Sequence, residues 1–141
     1  MFNFFKKQSK TADKPIKIPQ HIGFICDGNR RWAEMRGLPP LMGHKAGIAN
    51  FENLVDWFFA RGVSTISFYL FSTENWNRSD EEVNFLMDLF CTEIEKNMEH
   101  ALKKNLRYRV VGSRERLPKK LAKLCDKLED VSAENTGGTV V

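Results

Sequence analysis

One short segment, residues 27–32 with the sequence DGNRRW, combines groups that suit a phosphate ligand. Its glycine lets the backbone approach a ligand closely. The guanidinium groups of Arg30 and Arg31 match phosphate oxygens, and the Asp27 carboxylate is able to hold a magnesium ion that bridges diphosphate oxygens. A helix that begins here presents free N–H groups to an anion. The alternative is a plain helix capped by Asp27 with its arginines in solvent, and this segment alone leaves both open.

Two further polar segments carry candidate ligand-binding groups. Residues 43–47, GHKAG, are interpreted as a helix start at which His44 donates a hydrogen bond to a phosphate, although a capping or solvated histidine is the simpler alternative. Residues 71–78, FSTENWNR, form a polar loop around Trp76, which is unusual for a plain connector. Together the three segments supply a carboxylate, several cations and a set of neutral hydrogen-bonding side chains.

An acidic run, Asp80, Glu81 and Glu82, follows this loop and resembles a metal-binding cluster at first sight. In the first turn of a helix, however, carboxylates complement the helix dipole, and Ser79 with Glu82 has the spacing of a capping box. We therefore predict that the three acids stabilise a helix and take no part in catalysis.

Four segments have the character of β-strands. Residues 22–26 form a short, mostly apolar run, typical of a buried strand, and residues 63–71 are rich in β-branched and aromatic side chains, as expected for a strand covered on both faces. Residues 106–111 predict a third strand. Residues 136–138 predict the turn into a fourth, which has barely begun at Val141.

Apolar residues at helical spacing predict four helices between these strands. They cover residues 29–36, 43–60, 79–103 and 118–131. Gly37 and Gly62 end the first two patterns, and Pro39 and Pro40 prevent the first helix from continuing.

Strands that alternate with helices indicate an α/β fold, a parallel β-sheet with flanking helices. Ligands bind beyond the carboxyl ends of the strands in such sheets. Residues 27–32 and 71–78 each follow a predicted strand, so both lie at that edge. Because the fourth strand has barely begun, the predicted sheet is incomplete at the C-terminus.

The formal charge of +4 comes entirely from residues 1–18, which hold five lysines and one aspartate. We predict that these residues form a disordered basic tail, since few apolar side chains are present to offset the entropy of ordering. A transient contact with an anionic membrane surface is the alternative for Phe2, Phe4 and Phe5 with the adjacent lysines. The rest of the chain is neutral, which argues against a nucleic-acid-binding domain.

Cys26, Cys91 and Cys125 are odd in number and far apart, so the sequence indicates neither a disulfide framework nor a zinc site. No secretory signal and no transmembrane run is recognisable. Reduced thiols in a cytoplasmic protein are the natural interpretation.

The three polar segments, in this order and at this spacing, resemble the signature of cis-prenyltransferases of the undecaprenyl diphosphate synthase type. The resemblance extends from about Pro19 to the end of the chain and includes residues 134–137, ENTG. It implies that residues 19–141 are the N-terminal part of a single cis-prenyltransferase catalytic domain with that family's fold, preceded by the tail of residues 1–18.

This resemblance implies an isoprenyl transferase that condenses isopentenyl diphosphate with an allylic diphosphate, such as farnesyl diphosphate, to a Z-polyprenyl diphosphate. It implies Mg²⁺ as the cofactor and Asp27 as its ligand, with Asp27 and Asn75 as catalytic residues. An amide is a poor base, so we expect Asn75 to position the reactants while diphosphate accepts the proton. The implied substrate-binding residues are Gly28, Asn29, Arg30, Arg31, Trp32, His44, Ser72, Thr73, Glu74, Trp76 and Arg78. Leu86, Leu89 and Phe90 are expected to line an apolar tunnel for the growing chain, or to form ordinary core.

Two features depart from the family pattern. Pro40 replaces an arginine, which removes one expected phosphate contact. The family also continues past the fourth strand with arginines for isopentenyl diphosphate, a further acidic magnesium ligand and much of a homodimer surface. We interpret the sequence as incomplete and expect these 141 residues alone to fold poorly and turn over slowly or not at all.

The main rival from another class is a non-catalytic binding subunit of a two-chain enzyme. Such subunits typically lose the catalytic aspartate, and this chain retains Asp27 together with Asn29, Arg31, His44 and Arg78. The sequence therefore favours the enzyme.

Overall fold

The computed structural model describes residues 17–141, so the disorder and membrane contact predicted for the tail concern residues that mostly lie outside it. The described part has four strands: β1 (His21–Ile25), β2 (Thr65–Tyr69), β3 (Leu106–Tyr108) and β4 (Gly138–Val140). Its α-helices are α1 (Asn29–Glu34), α2 (Pro40–Ala49), α3 (Phe51–Phe59), α4 (Asp80–Lys104) and α5 (Lys119–Val131), with a 3₁₀ helix at Thr73–Asn77. Within residues 17–141 no helix combines the length and the apolar character needed to cross a bilayer.

The strands form one parallel sheet in the order β1-β2-β4-β3. Residues of β1 and β2 pair in register from His21 with Thr65 to Ile25 with Tyr69. Because these two strands are neighbours, the polar loops that follow them lie side by side at the carboxyl edge. The predicted α/β class, a parallel sheet with flanking helices, is confirmed.

β1 lies at the border of this sheet and pairs only with β2 in the described part of the chain. On one face, the Phe24 ring lies 5.4 Å from the ring of Phe58 in α3. On the other face, Ile25 is 80% exposed. The expectation of a buried strand is therefore wrong for β1, because helices of residues 17–141 cover only one of its faces.

The helix predicted over residues 43–60 is two helices that meet at Asn50, where φ is −91° and ψ is −3°. α2 begins at Pro40 rather than at Gly43, because proline at the first helical position loses no hydrogen bond and supplies the required φ. His44 consequently lies inside α2. The prediction that it lies at a helix start is wrong.

α4 is 25 residues long, and its first turn reaches the edge of the sheet where the polar loops meet. The predicted cap is present, since Ser79 Oγ accepts the backbone N–H of Glu82 at 3.3 Å. Asn105 ends the helix in the left-handed conformation, with φ of 55°. The Glu82 side chain, by contrast, bonds groups outside the helix.

Two clusters of buried side chains hold the helices to the sheet and to each other. The first consists of Val55, Ala101, Leu106, Tyr108, Leu128 and Val140. The second joins α4 to α5 and consists of Val83, Met87, Cys91, Leu121 and Cys125. Each large apolar side chain buried in this way contributes roughly 1.5–3 kcal/mol. The second cluster fixes the N-terminal half of α4, and with it the position of Glu82.

Candidate functional site

A cavity of about 260 Å³ opens at the carboxyl end of β1. Its walls come from the turn into α1, from α2 and from the loop after β2. The lining residues are Cys26, Asp27, Gly28, Asn29, Arg30, Arg31, Glu34, His44 and Arg78. The structure thus brings at least one residue of each of the three polar segments to one place.

The turn between β1 and α1 is held by its own hydrogen bonds. Gly28 has φ of 87°, a conformation that strains any residue with a Cβ. Asp27 Oδ1 accepts the Gly28 N–H at 2.5 Å, and Asp27 Oδ2 accepts from Arg31 Nη2 at 3.0 Å. The glycine therefore allows the aspartate to fold back on the turn, which holds its carboxylate beside the cavity.

α2 is placed by close contact with Asn29. A Cβ on Gly43 would lie 1.9 Å from the Asn29 backbone oxygen, and one on Gly47 would lie 2.7 Å from Asn29 Oδ1. Both glycines thus serve helix packing rather than a helix start. The close approach places His44, which lies between them in sequence, against the cavity.

Glu82 contacts two arginines and a histidine although it is itself only 8% exposed. Its Oε1 accepts from Arg78 Nη1 at 2.8 Å and from His44 Nε2 at 3.2 Å. Its Oε2 lies 3.5 Å from Arg30 Nη1. Glu82 thus does more than complete the helix cap, because its side chain connects α1, α2 and the loop after β2 to α4. That it takes no part in catalysis stays a prediction.

His44 is neutral at neutral pH in this arrangement. Burial lowers its pKa below the ordinary 6.5, the charges of Arg78 and Arg30 act in the same direction, and the carboxylate of Glu82 opposes them without reversing the shift. The cavity therefore contains three arginines and an uncharged imidazole.

Of the residues on the loop after β2, Arg78 alone is among the cavity-lining side chains of the described chain. Asn75 acts locally: its Oδ1 accepts the Ser72 N–H at 2.9 Å, and its backbone oxygen accepts the Arg78 N–H at 3.2 Å. Thr73 and Glu74 are exposed on the same 3₁₀ helix. Asn75 thus stabilises the loop shape that presents Arg78.

The two tryptophans of the polar segments lie beside the cavity lining rather than in it. Trp32 is 39% exposed, and the Arg36 guanidinium lies 4.3 Å from its ring. Trp76 packs edge-on against Phe71 at 5.0 Å, with the Arg116 guanidinium 4.5 Å from its ring. Trp76 therefore anchors its loop to the second buried cluster.

The residues predicted to line an apolar tunnel lie on α4, within or next to the packed interior. Leu86 is 4% exposed, whereas Leu89 is half-buried. Phe90 packs against the second buried cluster, with its ring 6.3 Å from that of Phe71. Their place in the structure suits core packing, and a tunnel function stays a prediction.

Asp27 offers oxygen atoms suited to a divalent cation. Its side chain is 79% exposed, and each carboxylate oxygen accepts one hydrogen bond, which leaves lone pairs for a cation. Within residues 17–141 no three Asp, Glu, His or Cys side chains gather into a metal cluster. This donor set fits Mg²⁺, which takes one or two carboxylates and fills its shell with water and phosphate oxygens.

The fold and the cavity define the class of the molecule, an α/β protein with its candidate site at the carboxyl edge of a parallel sheet. Residues 25–141 match the family model described as "Putative undecaprenyl diphosphate synthase". The chain belongs to this family, the cis-prenyltransferases.

Its relatives include isoprenyl transferases from distant bacteria. That of Neisseria meningitidis serogroup A is 43% identical over 135 residues, which are 96% of this chain and 54% of the relative. That of Thermotoga maritima is 43% identical over 119 residues, 84% of this chain and 51% of the relative. The chain therefore spans about half the length of the relatives it matches.

A solved structure shows the same architecture. Lavandulyl diphosphate synthase from Lavandula x intermedia, in complex with dimethylallyl diphosphate, is 27% identical with a TM-score of 0.84. The match covers 87% of this chain and 53% of that one. The described residues thus adopt the fold of the corresponding half of that enzyme.

Proposed function

We propose that the chain is the allylic-diphosphate-binding part of an isoprenyl transferase, which joins isopentenyl diphosphate to an allylic diphosphate and yields a Z-polyprenyl diphosphate. One observation carries this proposal: Arg30, Arg31, His44 and Arg78 meet Asp27 in a single cavity at the carboxyl edge of the sheet. Family membership supports it, since relatives at about 40% identity are isoprenyl transferases.

The arginines of the cavity would hold the diphosphate. Their planar guanidinium groups bind phosphate oxygens through paired hydrogen bonds. Charge builds up on the diphosphate as its bond to the allylic carbon breaks, so donors held in place before the reaction stabilise the transition state more than the ground state. Asn29 and the Gly28 backbone complete the cradle on the side of the β1–α1 turn.

Asp27 would hold Mg²⁺, and the cation would supply positive charge next to the leaving diphosphate. Its single exposed carboxylate suits an ion that shares its coordination shell with the substrate. The acidic ligand that the resemblance implies further along the family's sequence would add to this site.

Asn75 would act as a positioning residue. Its side-chain oxygen is already engaged with the Ser72 N–H, which fixes the loop and the direction of Arg78. Diphosphate is the better proton acceptor for the step that forms the new double bond. Ser72, Thr73, Glu74, Trp32 and Trp76 would bind substrate only after the loop or a further segment closes over the cavity.

The complete protein would work as a cytoplasmic homodimer that meets long-chain products at the membrane surface. The resemblance supports the dimer, and the predicted basic tail supports the membrane contact. The equal numbers of acidic and basic side chains after residue 18 do not favour nucleic acid as a partner.

The test is incorporation of radiolabelled isopentenyl diphosphate into butanol-extractable product with farnesyl diphosphate and Mg²⁺. This chain would be compared with a form extended to the length of its relatives. Each form would also be tested with Asp27→Ala and, separately, with Asp80→Ala. Asp80→Ala is the matched control, since Asp80 is exposed in the first turn of α4. We expect product from the extended form, its loss in Asp27→Ala and its retention in Asp80→Ala. A folded extended form without product would favour the non-catalytic binding subunit.

A further inference from the structure

The formal charges around the cavity cancel. The lining includes three arginines and the carboxylates of Asp27 and Glu34, and a third carboxylate, that of Glu82, pairs with Arg30 and Arg78. A bound diphosphate adds several negative charges to a partly enclosed site, where unpaired charge is costly. Positive charge must therefore arrive with the ligand. Mg²⁺ at Asp27 is one source, and the neutral imidazole of His44 is a second.

In the neutral His44 ring, the nitrogen that carries the hydrogen is the one that contacts Glu82, so that hydrogen is not available to a phosphate. Nε2 lies 3.2 Å from Glu82 Oε1, and an ionised carboxylate only accepts hydrogen bonds, so Nε2 carries the hydrogen. In the neutral ring Nδ1 is then an acceptor, which repels a phosphate oxygen. His44 lines the cavity and its Nε2 is engaged with Glu82, so the ring gains a free donor only when Nδ1 takes up a proton.

The Glu82 carboxylate favours that proton through its direct contact with the ring. The imidazole is only 11% exposed, and the carboxylate that touches it is 10% exposed, so their attraction is little screened. The opposing cations are Arg30 from α1 and Arg78 from the loop after β2, and both point their charge at the same carboxylate. The other charged or titratable groups lining the cavity are Cys26, Asp27, Arg31 and Glu34. Burial is the main cause of the lowered imidazole pKa, and the two arginines add to it. A diphosphate would bring negative charge to the ring and draw the arginines toward itself, and both changes favour the protonated form.

We infer that Glu82 is a positioning residue that holds His44 ready to take up a proton from solvent when a diphosphate binds. The proton goes to Nδ1, Nε2 keeps its hydrogen on Glu82, and the imidazolium donates Nδ1–H to the ligand. Diphosphate binding is therefore coupled to proton uptake. This inference rests on the proposed function, because it requires the cavity to bind diphosphate.

The experiment is a calorimetric titration of the chain with inorganic diphosphate in buffers of different ionisation enthalpy, at about pH 7.5, above the ordinary imidazole pKa. The slope of heat against ionisation enthalpy gives the protons taken up. We expect the wild type to take up about one proton more per bound diphosphate than His44→Gln does. This variant lacks the imidazole, so its uptake measures any proton change of the ligand itself. Glu82→Gln should lower the uptake, and the exposed neighbour Glu81→Gln should leave it unchanged.

Two results would overturn the inference and differ from failure of the proposed function. Equal proton uptake by the wild type and by His44→Gln, with diphosphate bound by both, would contradict the protonation of His44 and would leave the proposed function standing. A ¹⁵N correlation spectrum of the ligand-free chain with the His44 hydrogen on Nδ1 also contradicts it, without any variant that must fold. Absence of diphosphate binding in every form contradicts the proposed function, and the inference falls with it.

Discussion

At the scale of single residues, the sequence predicts the position of some side chains at the site and not of others. Asp27, Arg30 and Arg31 lie where their motif predicts, because a strand that ends in a glycine turn fixes nearby groups by local geometry. The contacts of Glu82 with the site are not predicted, since its position in the first turn of a helix is already explained by helix capping. Its contact with His44 spans 38 residues of sequence and depends on how α2 packs, which periodicity does not encode.

Gly28→Ala tests the turn. An alanine at φ of 87° should lower the free energy of unfolding by about 1 kcal/mol, because the left-handed conformation strains a residue with a Cβ. It should also weaken diphosphate binding by shifting Asp27 and Arg31. Gly62 has a nearly identical φ of 86° with open space around it, so Gly62→Ala is the matched control.

Both variants should lose similar stability in urea denaturation, and only Gly28→Ala should lose affinity in diphosphate titration. Equal affinity of the two variants would refute a role for the β1–α1 turn in binding.

At the scale of elements, the junction of α1 and α2 is the part that the sequence describes least well. The sequence predicts that the first helix does not continue past Pro39 and Pro40, which is confirmed, and that GHKAG begins the next helix, which is wrong. Both assignments used local signals, whereas the start at Pro40 and the close packing of Gly43 on Asn29 follow from how two helices fit together. All four strands overlap their predicted segments, because apolar runs bounded by turns are a local property, but β3 ends at Tyr108 and not at residue 111.

Alanine at the two glycines of α2 should have graded effects. Gly43→Ala meets a backbone oxygen at 1.9 Å, which cannot yield without moving a helix, and should cost roughly 1–3 kcal/mol of stability. Gly47→Ala meets the end of the Asn29 side chain at 2.7 Å, which is able to rotate, and should cost less. Thermal denaturation of both measures the order, and the reverse order would contradict the packing described.

At the scale of the whole molecule, stability should depend on an ion pair far from the cavity. Burial by itself raises the pKa of Glu129, but hydrogen bonds from Arg114 and from the Val110 N–H outweigh it, so the pKa lies below the ordinary 4.5. A carboxyl whose folded pKa is depressed contributes stability above its unfolded pKa. That contribution is lost as the pH falls through the folded pKa.

Urea denaturation at about pH 7 and about pH 3 should therefore show a smaller pH-dependent loss of stability in Glu129→Gln than in the wild type. Glu134→Gln, at an exposed position shortly after α5, is the control and should retain the wild-type difference. An identical difference in all three proteins would show that this ion pair does not link stability to pH.

Titration with farnesyl diphosphate and Mg²⁺ tests most directly the proposal that distant parts of the chain build one diphosphate site. Arg78 comes from the loop after β2 and reaches the cavity, whereas Arg61 is exposed at the end of α3 and stacks on Trp57 at 3.6 Å. Arg78→Gln should weaken binding by about tenfold or more, the loss of one charge-assisted contact, while Arg61→Gln keeps the wild-type affinity. Equal affinities of the two folded variants would contradict the claim.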